Sequence, residues 1–533
     1  MSEISRRKFL KNAAIGAVGM ASISLLGGCA DDKDTKDKKA NKVTHNPVRT
    51  EKCDLVVVGS GTAGLCAAVR AAELGASVIL LEKLPALGGT SALTEGIGGL
   101  NSYMNKKMGK GGKPFDVNEA LQRSQEYSHW AADSKTYERF ISESGKTIDW
   151  LHFQCGVQFL TADVTAPTSY PSWHLGAVDG KFAYVGKAVH KPLIDYGKKH
   201  GLKTRVSNPA TGLIVENGTV KGVYVQDKEK KQEYAIRAKN VVLATGGYAN
   251  NKEMFKRFTY RDSDTVWNYG LHEGRDGDGI KWAEEIDGVL HYPGTVMYAY
   301  PQVVGNKVFG GAVPFLFAMQ PILRVNERGE RFYNEANGGD FTITSNAMKA
   351  QQRVFSILDQ SLLEYIHDKA VMVGFADAVP TGKPMRDAYK AVDEGIKNRQ
   401  VHKFDTVGQL AKFIGCEVKR LQETLDKYNK ACAIGKDEEF GMPASFLHPM
   451  KRAPFYIAEL QLAMYTTIGG LHVDEYLRVI NTKGEPISGL FALGNDASSI
   501  YGTDYDVGIL SGSQQGWCAT GGRLVAEYVT GKA

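Results

Sequence analysis

The sequence predicts an α/β fold whose folded part begins with a Rossmann-like strand–helix–strand unit. The first observation is a continuous apolar run at 55–58, typical of a buried parallel strand, which leads into an Ala- and Leu-rich helical stretch. The second is the turn between them, whose G-x-G-x-x-G spacing is made by Gly59, Gly61 and Gly64. The third is another apolar strand at 77–81. This order is typical of a sheet that binds a dinucleotide along one edge.

The glycine turn suits phosphate binding, because each glycine removes a different obstacle. Gly59 permits the tight turn, Gly61 lets a pyrophosphate approach the backbone, and Gly64 lets the helix close on the strand. Phosphate charge would then lie at the helix N-terminus. Glu82 ends the second strand, where a carboxylate can accept hydrogen bonds from a ribose. The whole order is specific, whereas a glycine motif alone would not be.

Later segments have the pattern of loops and strand ends that return to this sheet. A glycine-rich loop at 88–99 follows the second strand and is longer than a simple NAD dehydrogenase needs. Apolar strands within 241–251 and 487–496 end in small polar residues, and a glycine turn within 274–288 precedes a helix. These segments predict further cofactor-binding residues: Gly88, Gly89, Thr90, Ser91, Ala244, Thr245, Gly246, Asp278, Gly494 and Asn495.

Length, composition and charge exclude several other classes of protein. With 533 residues, of which 43% are hydrophobic, the chain can bury a large core and is expected to form two domains. The net charge of +6 is small for this length and the lysines are scattered, so no nucleic-acid partner is predicted. The seven cysteines show no CxxC or CxxCH spacing, and no haem, iron–sulfur or other metal site is predicted.

The first fifty residues are predicted to direct and tether the protein. Residues 1–30 resemble a twin-arginine export signal, with Arg6 and Arg7 ahead of a short, glycine-rich apolar run. They end in a stretch that resembles a lipoprotein cleavage box at Cys29, and residues 31–50 form a charged tether. We expect a lipoprotein anchored through Cys29 on the outer face of the cytoplasmic membrane, or a soluble periplasmic protein if the signal is only cleaved.

The order of these motifs, together with RVNERGERFYNEA at 324–336, resembles the FAD-dependent family that joins flavin fumarate reductases with 3-ketosteroid dehydrogenases. The resemblance implies a glutathione-reductase-type FAD-binding domain made from residues 51–299 and 456–533. It implies an α+β capping domain inserted at 300–455, with the substrate over the flavin where the two domains meet. We expect non-covalent FAD, since the sequence lacks the attachment motif of a covalent flavin.

Four positions depart from the pattern of the fumarate reductases. Reduction of a dianion needs arginines and histidines in the pocket, and in that family an arginine also donates the proton. The position of the proton-donating arginine falls on Gly339. The histidine of the family's His-Pro pair corresponds to Tyr300 and a substrate-binding arginine to Tyr505, while the family's His-Thr-x-Gly-Gly segment appears at 465–470 without its histidine. Phenols replace cations, so we expect an uncharged substrate.

At the C-terminal motif the chain is more similar to the 3-ketosteroid 1-dehydrogenases, in which a tyrosine follows Gly-Asn at the distance of Tyr505. The resemblance implies that Tyr505 and the backbone around Gly508 polarise a carbonyl oxygen. A phenol suits this role because it stays protonated at neutral pH and donates a hydrogen bond without a buried charge. Asp504 and Asp506 would orient the phenol, or would only form the turn.

A second tyrosine is expected to move the proton, with Tyr300 as the first candidate, ahead of Tyr298 and Tyr465. Each of these residues could equally be an ordinary core or rim tyrosine, because the chain has 24 of them. At the start of the last helix, the amides of Leu510 and Ser511 are expected to face the flavin pyrimidine and to favour charge on the reduced ring.

These predictions describe an exported FAD-dependent reductase of a C=C bond conjugated to a carbonyl. Its substrate would be a small, neutral α,β-unsaturated carbonyl compound of the steroid or lactone type, which takes hydride from flavin N5 at its β-carbon. Export favours a membrane-bound quinol or cytochrome as electron donor, because NADH is absent outside the cytoplasm. Two alternatives stay open: a 3-ketosteroid-type dehydrogenase that runs in the oxidative direction, and a non-catalytic surface lipoprotein that contains flavin.

Overall fold

The computed structural model describes residues 44–164, 169–270, 273–307, 310–374 and 380–532. The predicted export signal, with Arg6, Arg7 and Cys29, lies outside the described residues, as does most of the predicted tether. Both stay predictions. None of the helices in the described ranges combines the length and the hydrophobicity that a membrane span requires.

The described chain alternates strands with helices along most of its length. The strands are β1 Thr50–Val58, β2 Val78–Leu81, β3 Gly96–Gly98, β4 Gln158–Asp163, β5 Trp173–Val178, β6 Lys181–Phe182, β7 Lys203–Arg205, β8 Ala210–Glu216, β9 Thr219–Asp227, β10 Gln232–Leu243, β11 Trp267–Asn268, β12 Leu290–His291, β13 Val296–Val303, β14 Arg324–Asn326, β15 Val354–Asp359, β16 His402–Phe404, β17 Phe455–Thr467, β18 Gly470–Leu471, β19 Arg478–Ile480 and β20 Pro486–Ala492. The main helices are α1 Thr62–Glu73, α2 Val117–Tyr127, α3 Ser134–Phe153, α4 Lys191–Lys199, α5 Lys252–Thr259, α6 Asp278–Glu284, α7 Phe341–Lys349, α8 Gln360–Asp368, α9 Ala388–Lys397, α10 Val407–Ile414, α11 Val418–Ile434 and α12 Ser513–Val529.

The main sheet contains eight strands, in the order β19-β20-β10-β1-β2-β7, with the hairpin β8-β9 attached to β10. Five neighbouring strands, from β20 to β7, run parallel. Val58, at the end of β1, pairs with Leu81 of β2 on one side and with Leu243 of β10 on the other. Buried apolar strands paired in parallel and flanked by helices confirm the predicted α/β fold.

The two ends of the folded chain pack against each other beside this sheet. Helix α12 lies along α1, and the approach is closest near Gly522, where a Cβ atom would fall 2.5 Å from the Ala63 carbonyl oxygen. Arg70 of α1 and Glu527 of α12 form an ion pair of 2.8 Å. The last helix is therefore part of the same layered unit as the first strand, although more than 400 residues separate them in the sequence.

A second, six-stranded sheet is centred on β17, which pairs with β11, β13, β15 and β16, while β14 continues the sheet beyond β15. Strand β17 runs parallel to β11 and antiparallel to the other three. Buried apolar side chains of β14, β15, β17, α10 and α11 form a cluster of their own. The predicted limits of the inserted domain fall within β13 and at the first residue of β17, and they stay predictions.

Candidate active site

A cavity opens along the edge of the main sheet at which the parallel strands end. Its lining includes one of the first residues after β1, β2, β10 and β20, namely Gly59, Glu82, Ala244 and Gly494. Because these strands are neighbours in the sheet, the lining extends across three strand spacings, about 14 Å. Open parallel sheets bind their ligands outside these carboxyl ends, so this edge is the candidate site.

The first glycine turn is tightly packed on one side and open on the other. Gly59 has a φ of +103°, and a Cβ atom there would lie 2.1 Å from the Ala244 carbonyl oxygen. At Gly64 a Cβ atom would lie 1.9 Å from the Gly59 carbonyl oxygen, so only glycine lets α1 close on β1. Gly61 and Gly89 line the cavity opposite each other, with 3.8 Å between a Cβ built on Gly89 and the Gly61 Cα atom. A pyrophosphate can approach the backbone at this point.

Glu82 lies at the β2 end of the cavity and organises its turns. The carboxylate accepts hydrogen bonds from the Ser60 backbone N–H at 3.1 Å, from the Ser60 hydroxyl at 2.7 Å and from the Leu84 N–H at 2.9 Å. The next residue, Lys83, forms an ion pair of 2.8 Å with Asp278 at the start of α6. An oriented carboxylate at this end of the cavity suits the hydroxyl groups of a ribose.

The second glycine loop closes over the start of α1. The Ser91 hydroxyl accepts a hydrogen bond from the Thr62 N–H at 2.9 Å and donates one to the Gly88 carbonyl oxygen at 3.0 Å. Thr90 and Ser91 line the cavity, as predicted. Gly88 is not in the lining: a Cβ atom there would lie 3.2 Å from the His190 ring, so its role is to let the loop pass that ring.

Asp496 holds the turn after β10, a role that the sequence did not predict. Its buried carboxylate accepts hydrogen bonds from the Thr245 hydroxyl and from the Gly247 N–H, both at 2.9 Å. These bonds hold Ala244, Thr245 and Gly246 at the cavity wall. Burial raises the pKa of Asp496, and its hydrogen-bond donors oppose that rise. The carboxylate therefore shapes the turn and is not itself part of the lining.

Asn495 joins three elements at the β20 end of the cavity. Its amide donates to the Thr466 hydroxyl of β17 at 3.0 Å, and its carbonyl oxygen accepts a hydrogen bond from Gln514 of α12. The adjacent Gln515 accepts a hydrogen bond from the Thr62 hydroxyl at 2.8 Å. Three neutral amide side chains thus line this end, and they suit the polar atoms of a ribityl chain and a flavin ring.

Leu510 and Ser511, which were predicted to face the flavin, are not in the lining of the cavity. The Ser511 hydroxyl lies 2.8 Å from the Ser169 hydroxyl, and its carbonyl oxygen accepts a hydrogen bond from the Ser172 hydroxyl at 2.9 Å. The physical reason is that α12 begins at Ser513, so the N–H groups of its first turn belong to residues that follow Ser511. The start of α12 lines the cavity with Gly512, Gln514 and Gln515.

Next to Asn495 the lining becomes mainly apolar and aromatic. The centroid of the Tyr465 ring lies 5.2 Å from that of Tyr269 and 6.3 Å from that of Phe341. Met297 and Tyr505 also line this region, which we call the aromatic wall. Burial raises the pKa of all three tyrosines, that of Tyr269 to about 12, so their hydroxyl groups stay protonated at neutral pH.

Tyr505 lies beside a hydrogen-bonded network at the start of α12. The Ser513 side chain and the Gln514 backbone N–H act to lower the pKa of its hydroxyl, against the larger rise that burial causes. The Ser513 hydroxyl donates to the Asp506 carboxylate at 2.6 Å, and Tyr137 donates to the same carboxylate. Burial raises the pKa of Asp506 to about 6. Ser513 also accepts a hydrogen bond from Tyr501 at 3.1 Å, and the Tyr501 ring packs edge-on against that of Tyr505, with 5.5 Å between the ring centroids.

Tyr298 and Tyr300, both predicted as catalytic, are not in the lining. Tyr300 is buried beside Phe341, with 5.3 Å between their ring centroids, and Tyr298 has the Lys349 ammonium 5.0 Å from the centre of its ring. Met297 and Tyr298 are consecutive in β13 and point to opposite faces, so Met297 reaches the cavity and Tyr298 does not. Tyr300 lies in the register shift between Ala299 and Gln302, where the regular pairing with β17 is interrupted. The structure leaves Tyr505 and Tyr465 as the predicted catalytic tyrosines in the lining.

Gly508, predicted to offer its backbone N–H beside Tyr505, is also not in the lining. It packs against Tyr127 and Asp340, and a Cβ atom there would lie 2.5 Å from an Asp340 carboxylate oxygen. Close packing, not an open N–H, explains a glycine at this position. The backbone group near the Tyr505 hydroxyl is instead the Gln514 N–H.

Four charged residues in the lining were not predicted from the sequence: Lys83, Glu95, Glu273 and Arg275. The Arg275 guanidinium is buried and donates to the Tyr465 carbonyl oxygen at 2.7 Å and to side-chain oxygens of Asn250 and Asn268, each at 2.9 Å. Burial lowers its pKa to about 10, so it stays charged and supports the backbone of β17. For Glu95 and Arg275 the sequence did offer a signal, namely a charged residue inside a glycine-rich run: TEGIGG contains Glu95 and EGRDGDG contains Arg275.

The glycine cradle, the ribose-end carboxylate and the amide-lined end together define a nucleotide-binding oxidoreductase site. Comparison with known proteins then identifies the family. Residues 54–508 match the family described as FAD binding domain. This match covers most of the chain, which therefore belongs to the FAD-binding domain family and uses FAD as its cofactor. Gly61 and Gly89 would face the pyrophosphate, Glu82 the ribose, and Asn495 and Gln514 the flavin end.

Individual relatives cover nearly the whole chain. The sequence is 32% identical to vinyl phenol reductase of Lactiplantibacillus plantarum over 461 residues, 85% of this chain and 91% of that protein. It is 28% identical to a probable fumarate reductase of Shewanella frigidimarina over 487 residues, 89% of this chain and 74% of that protein. A solved structure of 3-ketosteroid delta1-dehydrogenase from Sterolibacterium denitrificans, 20% identical, matches 91% of this chain and 100% of its own with a TM-score of 0.71. The predicted family is confirmed.

Glu82→Gln is expected to weaken FAD binding by about tenfold or more. The amide nitrogen would face a backbone N–H of Ser60 or Leu84, and a hydrogen bond to a charged acceptor contributes about 1.5–3 kcal/mol. FAD released from the holoenzyme on dilution, followed by flavin fluorescence, measures the change. Glu216→Gln, on the exposed end of β8, is the matched control and should release FAD like the wild type. Equal release from both variants would contradict this role for Glu82.

Proposed function

We propose that this protein is an FAD-dependent reductase that adds a hydride and a proton across an activated C=C bond of a small, neutral substrate. FAD supplies the hydride when it is reduced. The observation that carries the proposal is the aromatic wall of the cavity, formed by Tyr269, Met297, Phe341, Tyr465 and Tyr505. These side chains offer apolar surface and uncharged hydrogen-bond donors, which favour an uncharged ring system over an anion.

The substrate class includes enones and alkenes conjugated with a phenol ring. The relative at 32% identity is a vinyl phenol reductase, and a vinyl phenol is neutral and aromatic. Once its terminal carbon gains a proton and its hydroxyl loses one, a vinyl phenol becomes a quinone methide. Hydride addition then places negative charge on a carbonyl oxygen, as it does for an enone. One hydrogen-bond donor at that oxygen therefore serves both substrate types.

Tyr505 is the residue best placed to donate to this oxygen. It lines the cavity, only 2% of its surface is exposed, and its backbone carbonyl oxygen accepts a hydrogen bond from the Thr342 hydroxyl at 2.7 Å. Burial, with a further contribution from Asp506, raises its pKa above the ordinary value, so the hydroxyl keeps its proton while it donates a hydrogen bond. A preorganised donor of this kind stabilises the transition state by about 3 kcal/mol.

A dicarboxylate substrate fits this cavity poorly. Gly339 occupies the position that holds the proton-donating arginine in the fumarate reductases. No other atom lies within 4 Å of a Cβ atom built there. The Arg275 guanidinium donates to the Tyr465 carbonyl oxygen and to two asparagine side chains. Placing a carboxylate against the aromatic wall without a charged partner would cost several kcal/mol of desolvation. The glycine at position 339 and the use of Arg275 by the backbone and the asparagines therefore favour a neutral substrate.

Reoxidation of the dithionite-reduced holoenzyme tests the proposed function. We expect 4-vinylphenol or androst-4-ene-3,17-dione to reoxidise the flavin at least about tenfold faster than fumarate at equal concentration, because only fumarate must bury two charges. Stopped-flow absorbance under anaerobic conditions measures the rates of flavin reoxidation. A separate reaction of the oxidised enzyme with a saturated 3-ketosteroid tests whether the enzyme works in the oxidative direction. Fumarate as the best oxidant, or no reoxidation by any activated alkene, would contradict the proposal.

Tyr505→Phe is expected to slow this reoxidation by about 10²-fold while the flavin stays bound, because one donor to the developing oxyanion is lost. The same stopped-flow measurement gives the rate, and the flavin absorbance of the purified variant reports FAD content. Tyr260→Phe is the matched control, since Tyr260 is 91% exposed, and it should react like the wild type. An unchanged rate in Tyr505→Phe would remove this residue from the reaction.

We also propose that the protein is exported through the twin-arginine route and receives electrons from a membrane-bound quinol or cytochrome. Support comes from Arg6, Arg7 and Cys29 and from the charged segment that follows them. The double change Arg6→Lys with Arg7→Lys should retain the full-length precursor in the cytoplasm, and Cys29→Ser should release the protein from the membrane fraction. Cell fractionation measures both, and wild-type protein found in the cytoplasm would contradict export.

A further inference from the structure

Glu95 is a carboxylic acid placed among phenols. It lines the cavity together with Tyr269, Tyr465 and Tyr505, and its charge acts on these three side chains and on Tyr300. Within the described ranges, no side chain donates a hydrogen bond to its carboxyl group or forms an ion pair with it, and no lysine, arginine or histidine acts on its charge. Its own backbone N–H is the one hydrogen-bond donor of the described residues that acts on the carboxyl group, which therefore stays available to a substrate.

The backbone around Glu95 is held on both sides, so the fold sets the direction of the side chain. Its carbonyl oxygen accepts a hydrogen bond from the Gly176 N–H at 2.9 Å. The next residue, Gly96, begins β3, and a Cβ atom there would lie 2.3 Å from the His174 carbonyl oxygen. These two contacts fix the backbone of the loop at Glu95 and Gly96. The carboxyl group is preorganised at the cavity wall, as a group that acts on a substrate must be.

The acidity of Glu95 differs sharply from that of the surrounding tyrosines. Burial raises the pKa of Glu95 from 4.5 to about 7, and burial raises that of Tyr269 to about 12. Glu95 is therefore the stronger acid by about five orders of magnitude. Proton transfer is most effective from an acid whose pKa is near the working pH. The tyrosines can donate hydrogen bonds, whereas Glu95 can give up its proton.

From this placement we propose that Glu95 is the proton donor of the reaction, in contact with the carbon next to the one that takes hydride. The inference rests on the proposed function and assigns the proton to a carboxylic acid instead of the second tyrosine that the sequence predicted. It also explains why Gly339 needs no side chain: the proton comes instead from the loop before β3.

The step balances in atoms and electrons. The O–H bond of the Glu95 carboxyl group and the C=C π bond break, and one C–H bond forms at each alkene carbon. The substrate gains the two electrons that the reduced flavin loses with its hydride. Glu95 is left as a carboxylate and regains a proton from water, because its side chain is only partly buried at the cavity wall. In a vinyl phenol, the proton goes to the terminal carbon.

Replacement of Glu95 tests the proposal. At pH 6 we expect Glu95→Gln to slow reoxidation by the faster neutral substrate by about 10²-fold or more, and Glu95→Asp to keep an intermediate rate, because a general acid contributes about 10²–10⁴-fold. The wild-type rate should fall as pH rises above 7, and Glu95→Gln should lose this dependence. Glu423→Gln, an exposed residue of α11, is the control and should match the wild type.

A second measurement does not depend on activity. Because the pKa of Glu95 is raised in the folded protein, its protonated form is favoured there, and the stability that this provides is complete below pH 4.5 and lost as pH rises to about 7. The melting temperature of the Glu95→Gln holoenzyme, taken relative to that of the wild type, should therefore rise between pH 5 and pH 8. Glu423→Gln should show a constant difference from the wild type.

The possible outcomes separate the two proposals. A wild-type enzyme that reacts, with Glu95→Gln within about threefold of its rate, would overturn the role of Glu95 and leave the proposed function standing. A wild-type enzyme that no activated alkene reoxidises would overturn both. If Glu95→Gln loses FAD, Glu95→Asp decides: a rate equal to the wild type with no change in the pH profile would contradict the assignment, and a reduced rate with a shifted profile would support it.

Discussion

The parallel pairing of β10 with β1 on one side and β20 on the other is the constraint on which the site depends. These three strands come from distant parts of the chain, and their pairing brings the turns that follow them to one edge of the sheet. The fit is close: the Ala244 carbonyl oxygen occupies the space that a Cβ atom would need at Gly59. Asp496, in the turn after β20, completes the arrangement. Its carboxylate accepts hydrogen bonds from Thr245 and Gly247 in the turn after β10.

The aromatic wall is positioned against this edge by a small number of polar contacts. The hydrogen bond between Asn495 and Thr466 connects the end of β20 with β17, so Tyr465 is held next to the amide-lined end of the cavity. Arg275 binds the Tyr465 carbonyl oxygen from another direction. The charged groups near the wall thus serve the backbone, and the side chains that line it are uncharged phenols, apolar groups and one acid that burial keeps largely protonated below pH 7. A cavity of this kind selects against anions by desolvation.

More of the residues predicted for the nucleotide end than of those predicted for the substrate end lie in the lining of the cavity. The glycines, Glu82 and Asn495 could be found because a turn, a strand end and a close backbone approach each demand particular residues at short spacing. Tyr300 and Gly508 could not be placed, because the register shift after Ala299 and the packing of Asp340 depend on contacts remote in sequence. Leu510 and Ser511 precede the first residue of α12, and pattern alone gives no sharp boundary at a helix start.

Glu95 shows why a functional group in a cavity wall escapes a motif-based prediction. The sequence presents it as one acid in a glycine-rich loop, with nothing to say that tyrosines from four other segments lie near it. Only the folded chain reveals that it has no cationic partner among the described residues and that its neighbours are all weaker acids. A charged residue flanked by glycines in an otherwise apolar loop is a signal worth following in related sequences.

Equilibrium binding to the oxidised holoenzyme tests the central claim, that uncharged phenols and not cations receive the substrate. 4-Ethylphenol and succinate are matched as the reduced forms of a neutral and a dianionic alkene, and each perturbs the flavin absorbance when it binds beside the ring. We expect 4-ethylphenol to bind at least about tenfold more tightly than succinate at low salt, the condition in which a cation in the site would favour succinate most. Tighter binding of succinate would contradict the claim that uncharged phenols receive the substrate.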